Sequence, residues 1–266
     1  MKIINILFEN RWLIFSLIRR DIASRYRGSV AGIAWSFLTP LIMLLIYTFV
    51  FSVVLKARWN TGVAVEDNAS FALILFVGLI VHGFLSEVIG RSTTLISGNP
   101  SYVKKIVFPL EIMTFVTIGS VLFHTLVSFF VFLMVALVIT GGLSWTFFYL
   151  PLVMLPLIIM CLGFSWILSA LGVYLRDISQ LTAMVSTMLL FLSPVFYPVS
   201  ALPGKFQTVV YINPLSYFIE ESRNVLIFGN APDFIKLSIY FLVSIACAQL
   251  GYLFFRKLKK GFADVL

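Results

Sequence analysis

IAWSFLTPLIMLLIYTFVFSVVL, residues 33–55, carries no charged side chain from Ile33 to Leu55. A helix of about 23 residues, rising ~1.5 Å per residue, covers the ~30 Å hydrocarbon core of a bilayer. The stretch therefore reads as a membrane span, and outward from it the pattern repeats. A second span runs from Ser70 to about Gly90, a third fits between Ile112 and Ile139, and a fourth between Phe147 and Tyr174. A fifth starts near Leu181 and meets Pro194, Pro198 and Pro203, whose missing amide donors and ring clashes should break it. The sixth runs from about Phe234 to Phe255. Six spans predict an all-α membrane protein with both termini on one side.

Composition agrees. Of 266 residues, 61% are hydrophobic and 11% charged, where a soluble domain carries about 25% charged residues. Mean hydropathy is +1.05. Lipid accepts such a surface provided every spanning backbone is helical or a closed barrel, and continuous apolar runs, unlike the alternation of barrel strands, select helices. The net charge of +8 would suggest nucleic acid in a soluble protein, but these cations flank apolar segments, which is a topology signal. Cys161 and Cys247 sit inside apolar stretches, and no disulfide or zinc spacing is present. The N-terminus does not read as a cleavable signal peptide, because charges interrupt it before any long apolar core.

Orientation follows from Lys and Arg, which are retained in the cytoplasm. With the N-terminus inside, the inner segments hold Lys2, Arg11, Arg19, Arg20, Arg25, Arg27, Arg91, Lys104, Lys105, Arg176, Arg256, Lys257, Lys259 and Lys260. The outer ones hold Lys56, Arg58, Lys205, Arg223 and Lys236. Both termini are thus expected to be cytoplasmic.

Before the first span, Ile4, Leu7, Ile14, Phe15, Ile18 and Ile22 recur at helical spacing, with Glu9, Ser16, Arg20 and Arg27 opposite. Such a helix should lie in the cytoplasmic headgroup layer, or pack on a partner as a soluble amphipathic helix; Arg11 falls on the apolar stripe, where its long stem could snorkel. Between spans five and six, residues 193–233 are too long and too apolar for an ordinary loop. Short apolar pieces punctuated by proline suggest external re-entrant half-helices, tolerated only against protein or a wet cavity. A folded external cap is the alternative.

Absent motifs exclude chemistry. No G-x-x-x-x-G-K-[ST] occurs, since Gly204-Lys205 is followed by Phe206 and lacks the upstream glycine, so this chain should not cradle ATP phosphates. His82 and His124 stand alone on apolar helices and read as packing or interhelical hydrogen-bonding residues. Carboxylates avoid the middle of the spans: Glu87 lies near an inner end, and Glu111 and Asp177 lie at boundaries. That argues against a proton relay and for an energy source outside the membrane domain. In the loop from Arg91 to Glu111, Tyr102, Val103 and Ile106 stand beside Lys104 and Lys105, as apolar knobs that a partner could grip. A solvated positive-inside loop explains the lysines equally well but not the aromatic and proline content.

Arg25-Tyr26-Arg27-Gly28, then Gly32, Trp35 and Pro40, open the chain. Asn99 to Glu111 contains Val103-Lys104-Lys105 and Phe108-Pro109-x-Glu111, Arg176-Asp177 follows span four, and Ser193-Pro194-Val195-Phe196-Tyr197-Pro198 and Asn213-Pro214 follow span five. In this order and at this spacing the sequence resembles the membrane subunits of ABC-2 type exporters that handle O-antigen, capsule and teichoic-acid polysaccharides. The resemblance implies residues 1–32 as a cytoplasmic amphipathic interface helix and connector, and residues 33–266 as a six-span domain with a cytoplasmic tail. It further implies two copies forming a channel in the bacterial inner membrane, lipid-linked polysaccharide as substrate, and a separate ATPase subunit holding ATP and Mg, with no cofactor, catalytic residue or nucleic acid on this chain. The ATPase contact would involve Tyr102, Val103, Lys104, Lys105 and Ile106. The conduit walls would carry aromatics on which apolar sugar faces slide, with Tyr47, Phe51, Phe196 and Tyr197 as candidates. An ABC-2 drug or lipid exporter shares the helix count. A glycan enzyme would need buried acids or a basic cluster outside, where only Glu66, Asp67, Glu220, Glu221 and Asp233 are available.

Overall fold

Twelve α-helices build the described part of the chain, which in this computed structural model comprises residues 2–54, 68–104, 108–175 and 177–266. Leu55, Lys56, Arg58, Glu66, Asp67, Lys105, Ile106 and Arg176, all used above, lie outside the described residues. No strand occurs among the described residues, so the all-α expectation holds. The helices are α1 (Lys2–Glu9), α2 (Arg11–Arg25), α3 (Trp35–Tyr47), α4 (Asn68–Ser92), α5 (Pro100–Lys104) and α6 (Ile112–Thr140). They continue as α7 (Leu150–Tyr174), α8 (Ile178–Leu192), α9 (Gly204–Ile212), α10 (Pro214–Arg223), α11 (Phe234–Leu258) and α12 (Phe262–Val265).

Among the described residues, five stretches are long and apolar enough to cross a membrane: Gly32–Phe51, Phe71–Ser92, Ile112–Thr140, Trp145–Tyr174 and Phe234–Val265. The fifth expected span is shorter. α8 has 15 residues, about 22 Å at the helical rise, against the ~30 Å hydrocarbon core. It stops at Leu192 because Pro194 disfavours helical backbone at the residue before it, and Ser193 is extended (φ −96°, ψ 154°).

α4 is the central helix. Of its apolar stretch, 72% is buried within the chain, against 11% for that of α3. Phe76, Val77, Val81, Phe84 and Val88 are among the residues it gives to the main core, with residues of α6, α7 and α10. Between membrane helices the attraction is van der Waals packing and hydrogen bonding rather than escape from water, so close approach matters. Ser92 Oγ donates to Val88 O at 2.6 Å and shares a hydrogen bond with Ser165 Oγ at 2.7 Å, tying α4 to α7. α7 and α11 touch backbone to backbone, where Gly163 faces Cys247 and Gly251 on one stripe of α11. A Cβ at Gly163 would stand 2.6 Å from the Cys247 carbonyl oxygen. Gly163→Ala should therefore destabilise by about 1–3 kcal/mol, read as a Tm several degrees lower in detergent. Gly90→Ala, whose Cβ meets nothing within 4 Å, should leave Tm in place.

The N-terminal segment is two helices rather than one, joined at Asn10, whose side chain donates to Ile6 O at 2.8 Å. Its apolar stripe is divided. Ile18 lies against Gly119 of α6, whereas Phe8, Trp12 and Phe15 form a separate exposed aromatic face. Arg11 donates to Phe8 O at 2.8 Å, and its guanidinium lies 6.0 Å from the Trp12 ring centroid.

Candidate functional site

At the end of the bundle that carries most cations, α2 is bonded to the turns of α4 and to α5. Asp21 pairs with Arg91 at 2.5 Å and Arg25 with Glu87 at 2.7 Å. Arg20 donates to the Tyr102 hydroxyl at 2.8 Å, and the Tyr26 hydroxyl meets His124 Nδ1 at 3.2 Å. Of the polar face read from the sequence, Arg20 is thus bonded within the chain. These pairs are about one-third exposed, so each adds little to stability; their consequence is a fixed position for α2.

α5 presents its candidates unequally. Tyr102 stacks on Phe108 (centroids 4.6 Å, 29°), and Tyr102 and Val103 are half-buried on a cluster that includes Ile96, Leu110, Trp166 and Phe255. Pro100, Ser101 and Lys104 are its exposed residues. Lys104 donates to the Leu266 main-chain oxygen, and Phe262 of α12 is buried against Phe255 (5.5 Å). Lys259 bonds both Glu111 carboxylate oxygens at 2.8 and 2.9 Å, while Trp166 donates to Glu111 O at 3.3 Å. The loop, the last turns of α11 and α2 form one clamped shelf. Lys105 and Ile106, the remaining candidates, lie outside the described residues.

At the opposite end the structure brings together aromatics that are far apart in sequence. Phe51, on the π-helical continuation of α3 (Thr48–Val54), stacks on Phe196 (5.9 Å, 19°) and lies 6.5 Å from Tyr47. Phe71 of α4 and Phe191 of α8 join at 6.0 and 5.9 Å. The Tyr197 hydroxyl donates to Phe191 O at 2.8 Å, which fixes Tyr197 beside the other candidates. Tyr47, Phe51, Phe196 and Tyr197 are each partly exposed and Phe191 is 62% exposed, so these rings form a wall with open faces. Phe71 and Phe191 were not foreseen, because one begins a span and the other ends one, where an aromatic reads as part of the interfacial belt.

Arg223 holds this wall in place. Counted in the sequence as a flanking cation, it is fully buried. Its Nε donates to Ile74 O of α4 at 3.0 Å, Nη1 to Pro194 O at 2.5 Å and Nη2 to Val195 O at 2.8 Å. Nη1 also pairs with Glu220 at 2.9 Å. The carbonyls freed where proline ends α8 are therefore satisfied by one planar fork, a geometry that suits guanidinium rather than ammonium. Gly78 clears the approach, since a Cβ there would stand 2.7 Å from Arg223 Nη2. Asn213 donates to Ser193 Oγ at 2.8 Å and caps α10 by accepting from Leu215 N at 3.1 Å, with Pro214 at the first helical position, where its lost donor costs nothing. The signal for Arg223 was an arginine three residues after Glu220, in a short polar stretch between the apolar pieces Tyr217–Ile219 and Val225–Phe228.

Inside the bundle the polar inventory is sparse. His82 Nε2 donates to Ser186 O at 2.9 Å, tying α4 to α8. Among the described residues no cluster of three or more His, Cys, Asp or Glu could hold a metal. His82 and His124 each meet a hydrogen-bond partner on another helix, as read from sequence.

Comparison with known proteins bears on the whole of this arrangement. The chain is similar to the O-antigen export system permease protein RfbA of Myxococcus xanthus, 24% identical over 99% of both chains. It is 25% identical to that named RfbA in Klebsiella pneumoniae, over 96% of this chain and 95% of the relative. To the polysialic acid transport protein KpsM of Escherichia coli it is 22% identical over 91% of each. The profile described as ABC-2 type transporter matches residues 13–227, from α2 through the shelf, four of the five long apolar helices and the Arg223 staple. A multi-pass helical membrane protein matched over that length belongs to the ABC-2 type transporter family.

Proposed function

We propose that this chain is the membrane subunit of an ATP-driven exporter that carries lipid-linked polysaccharide across the bacterial inner membrane, energised by a separate ATPase subunit. One observation carries it: a chain similar over its whole length to permeases named for O-antigen and polysialic acid gathers Tyr47, Phe51, Phe196 and Phe191 into a partly exposed aromatic wall. Sugar rings carry apolar C–H faces, which stack on uncharged aromatics weakly enough to slide. Among the described residues, the rings of that wall include no buried acid, which a proton-driven carrier requires.

α8 together with the packed Ser193–Pro198 segment completes a sixth crossing, which puts both termini on one side. The shelf of α2, α5 and α12 then lies in the cytoplasm with most of the cations, and α5 offers Pro100, Ser101 and Lys104 to the ATPase. α9 and α10 re-enter from outside; α10 has seven buried residues, which supports shielding of its backbone by protein. The exposed apolar faces of α3 and α8 meet a second copy across the conduit. Phe8, Trp12 and Phe15 sit in the cytoplasmic headgroup layer.

Deleting the gene should abolish surface polysaccharide, with restoration by the intact chain. The purified chain should hydrolyse no ATP alone and should do so when co-purified with an ATPase subunit. Unchanged surface polysaccharide in the deletion strain would overturn the substrate, leaving drug or lipid export; hydrolysis by this chain alone would overturn the division of labour.

A further inference from the structure

A cavity of about 490 Å³ opens on the flank of the Arg223 staple, between α9, α10 and the first turns of α11. It is separate from the stack of Phe51 on Phe196, and its walls differ from that stack. Tyr217 and Tyr240 lie face to face there (4.1 Å, 10°), and Tyr211 adds a ring that is 62% exposed. Ser216 and Glu221 line the cavity while being 2% and 7% exposed. Among the described residues, Ser216 Oγ, Glu221 Oε2 and the Tyr217 hydroxyl have no hydrogen-bond partner. Buried polar atoms are rarely left so, because each gives up its water without replacement. Three of them beside one cavity point to an occupant that supplies the missing bonds.

Its chemistry follows from the charges. Glu220 is paired with Arg223 at 2.9 Å, and Lys236 with Asp233 at 3.2 Å. With these matched, the lining presents neither a cation cluster for phosphate nor a set of free acids for a metal. What remains is flat aromatic surface, the hydroxyls of Tyr211, Ser216, Tyr217 and Tyr240, which donate and accept, and one carboxylate edge that accepts. That set matches a neutral polyhydroxyl ring. We infer that this cavity is an exit subsite for a single sugar ring of the glycan: Tyr211 covers an apolar face of the ring, and its hydroxyls donate to Glu221 and exchange hydrogen bonds with Ser216 and Tyr217. The volume falls in the ~300–1,000 Å³ range of small-molecule sites. The inference rests on the glycan-export reading and adds to the sliding wall a place where the chain is held.

The test uses the full chain in nanodiscs and saturation-transfer NMR with glucose, galactose, mannose, rhamnose and N-acetylglucosamine, each offered alone, and tetramethylammonium for comparison. At least one sugar should receive saturation. Glu221→Gln should weaken that binding about tenfold, the loss expected for one hydrogen bond to a charged group, and Tyr217→Phe should weaken it less. Gly90→Ala, whose added methyl meets nothing within 4 Å, should leave it unchanged. If Glu221→Gln does not yield folded protein, Ser216→Ala carries the same comparison. No transfer to any of the five sugars, transfer indifferent to Glu221, Ser216 and Tyr217, or transfer to tetramethylammonium alone would overturn the subsite. Failure of the export reading looks different: sugar binding lost in Glu221→Gln, yet surface polysaccharide untouched by gene deletion.

Discussion

Arg223→Leu should remove nearly all folded protein from the membrane fraction. Leucine is isolated from water as readily as the arginine stem, so the loss is one of donors. Without the guanidinium, Ile74 O, Pro194 O and Val195 O lose their partner and Glu220 loses its counter-ion. Pro194 O and Val195 O are buried acceptors left without a donor, at about 1–3 kcal/mol each, whereas Glu220, 37% exposed, stays partly solvated and adds less. The sum reaches the lower part of the ~5–15 kcal/mol by which a protein is stable. Arg223→Lys keeps the charge, but a single ammonium cannot span acceptors on α4 and on both residues after Ser193, so an intermediate Tm is expected. Size-exclusion profiles of detergent extracts and thermal unfolding check both variants. A Tm for Arg223→Leu within a degree or two of the parent would show that the staple is dispensable.

Replacing Phe51 and Phe196 together by leucine should lower surface polysaccharide at least about tenfold, equivalent to ~1.4 kcal/mol on the limiting barrier, while protein level stays near that of the parent. Both rings are half-exposed, and leucine keeps most of their apolar contact at a cost of about 1.5 kcal/mol or less. What leucine lacks is the flat face, and with it the ~0.5–1.5 kcal/mol that an aromatic pair adds beyond area. The double alanine variant should lose both export and some stability. Surface polysaccharide measured against membrane-inserted protein separates these effects. Normal export by the leucine pair would make the wall a packing feature and move the glycan path elsewhere.

Membrane residence, helical class and the positions of five spans were legible in the sequence because each depends on local quantities. A run such as Ile33 to Leu55 has nowhere to go but lipid, and Pro194 stops the helix before it whatever surrounds it. The family resemblance rested on similar short stretches, and the profile match over residues 13–227 agrees with it. The amphipathic start was legible in outline. Its joint at Asn10, and the division of its apolar residues into Ile18 on α6 and an exposed face of Phe8, Trp12 and Phe15, were not. Periodicity reports that a face is apolar, not how many neighbours share it.

The sequence by itself thus determined the solvent of this protein, its helices, which aromatics stand near the span ends and that no G-x-x-x-x-G-K-[ST] motif occurs, all of them properties of composition and spacing over a few turns. Tertiary structure decided which of those residues meet. Phe51 and Phe196 are separated by five helices, α4 to α8, along the chain, yet stack at 5.9 Å. Arg223, a flank cation by hydropathy, became a buried staple because the carbonyls it satisfies belong to α4 and to the end of α8. Hydrogen bonds and ring stacking act over a few ångströms in space and are indifferent to distance along the chain, so only the packed bundle could place those groups within reach.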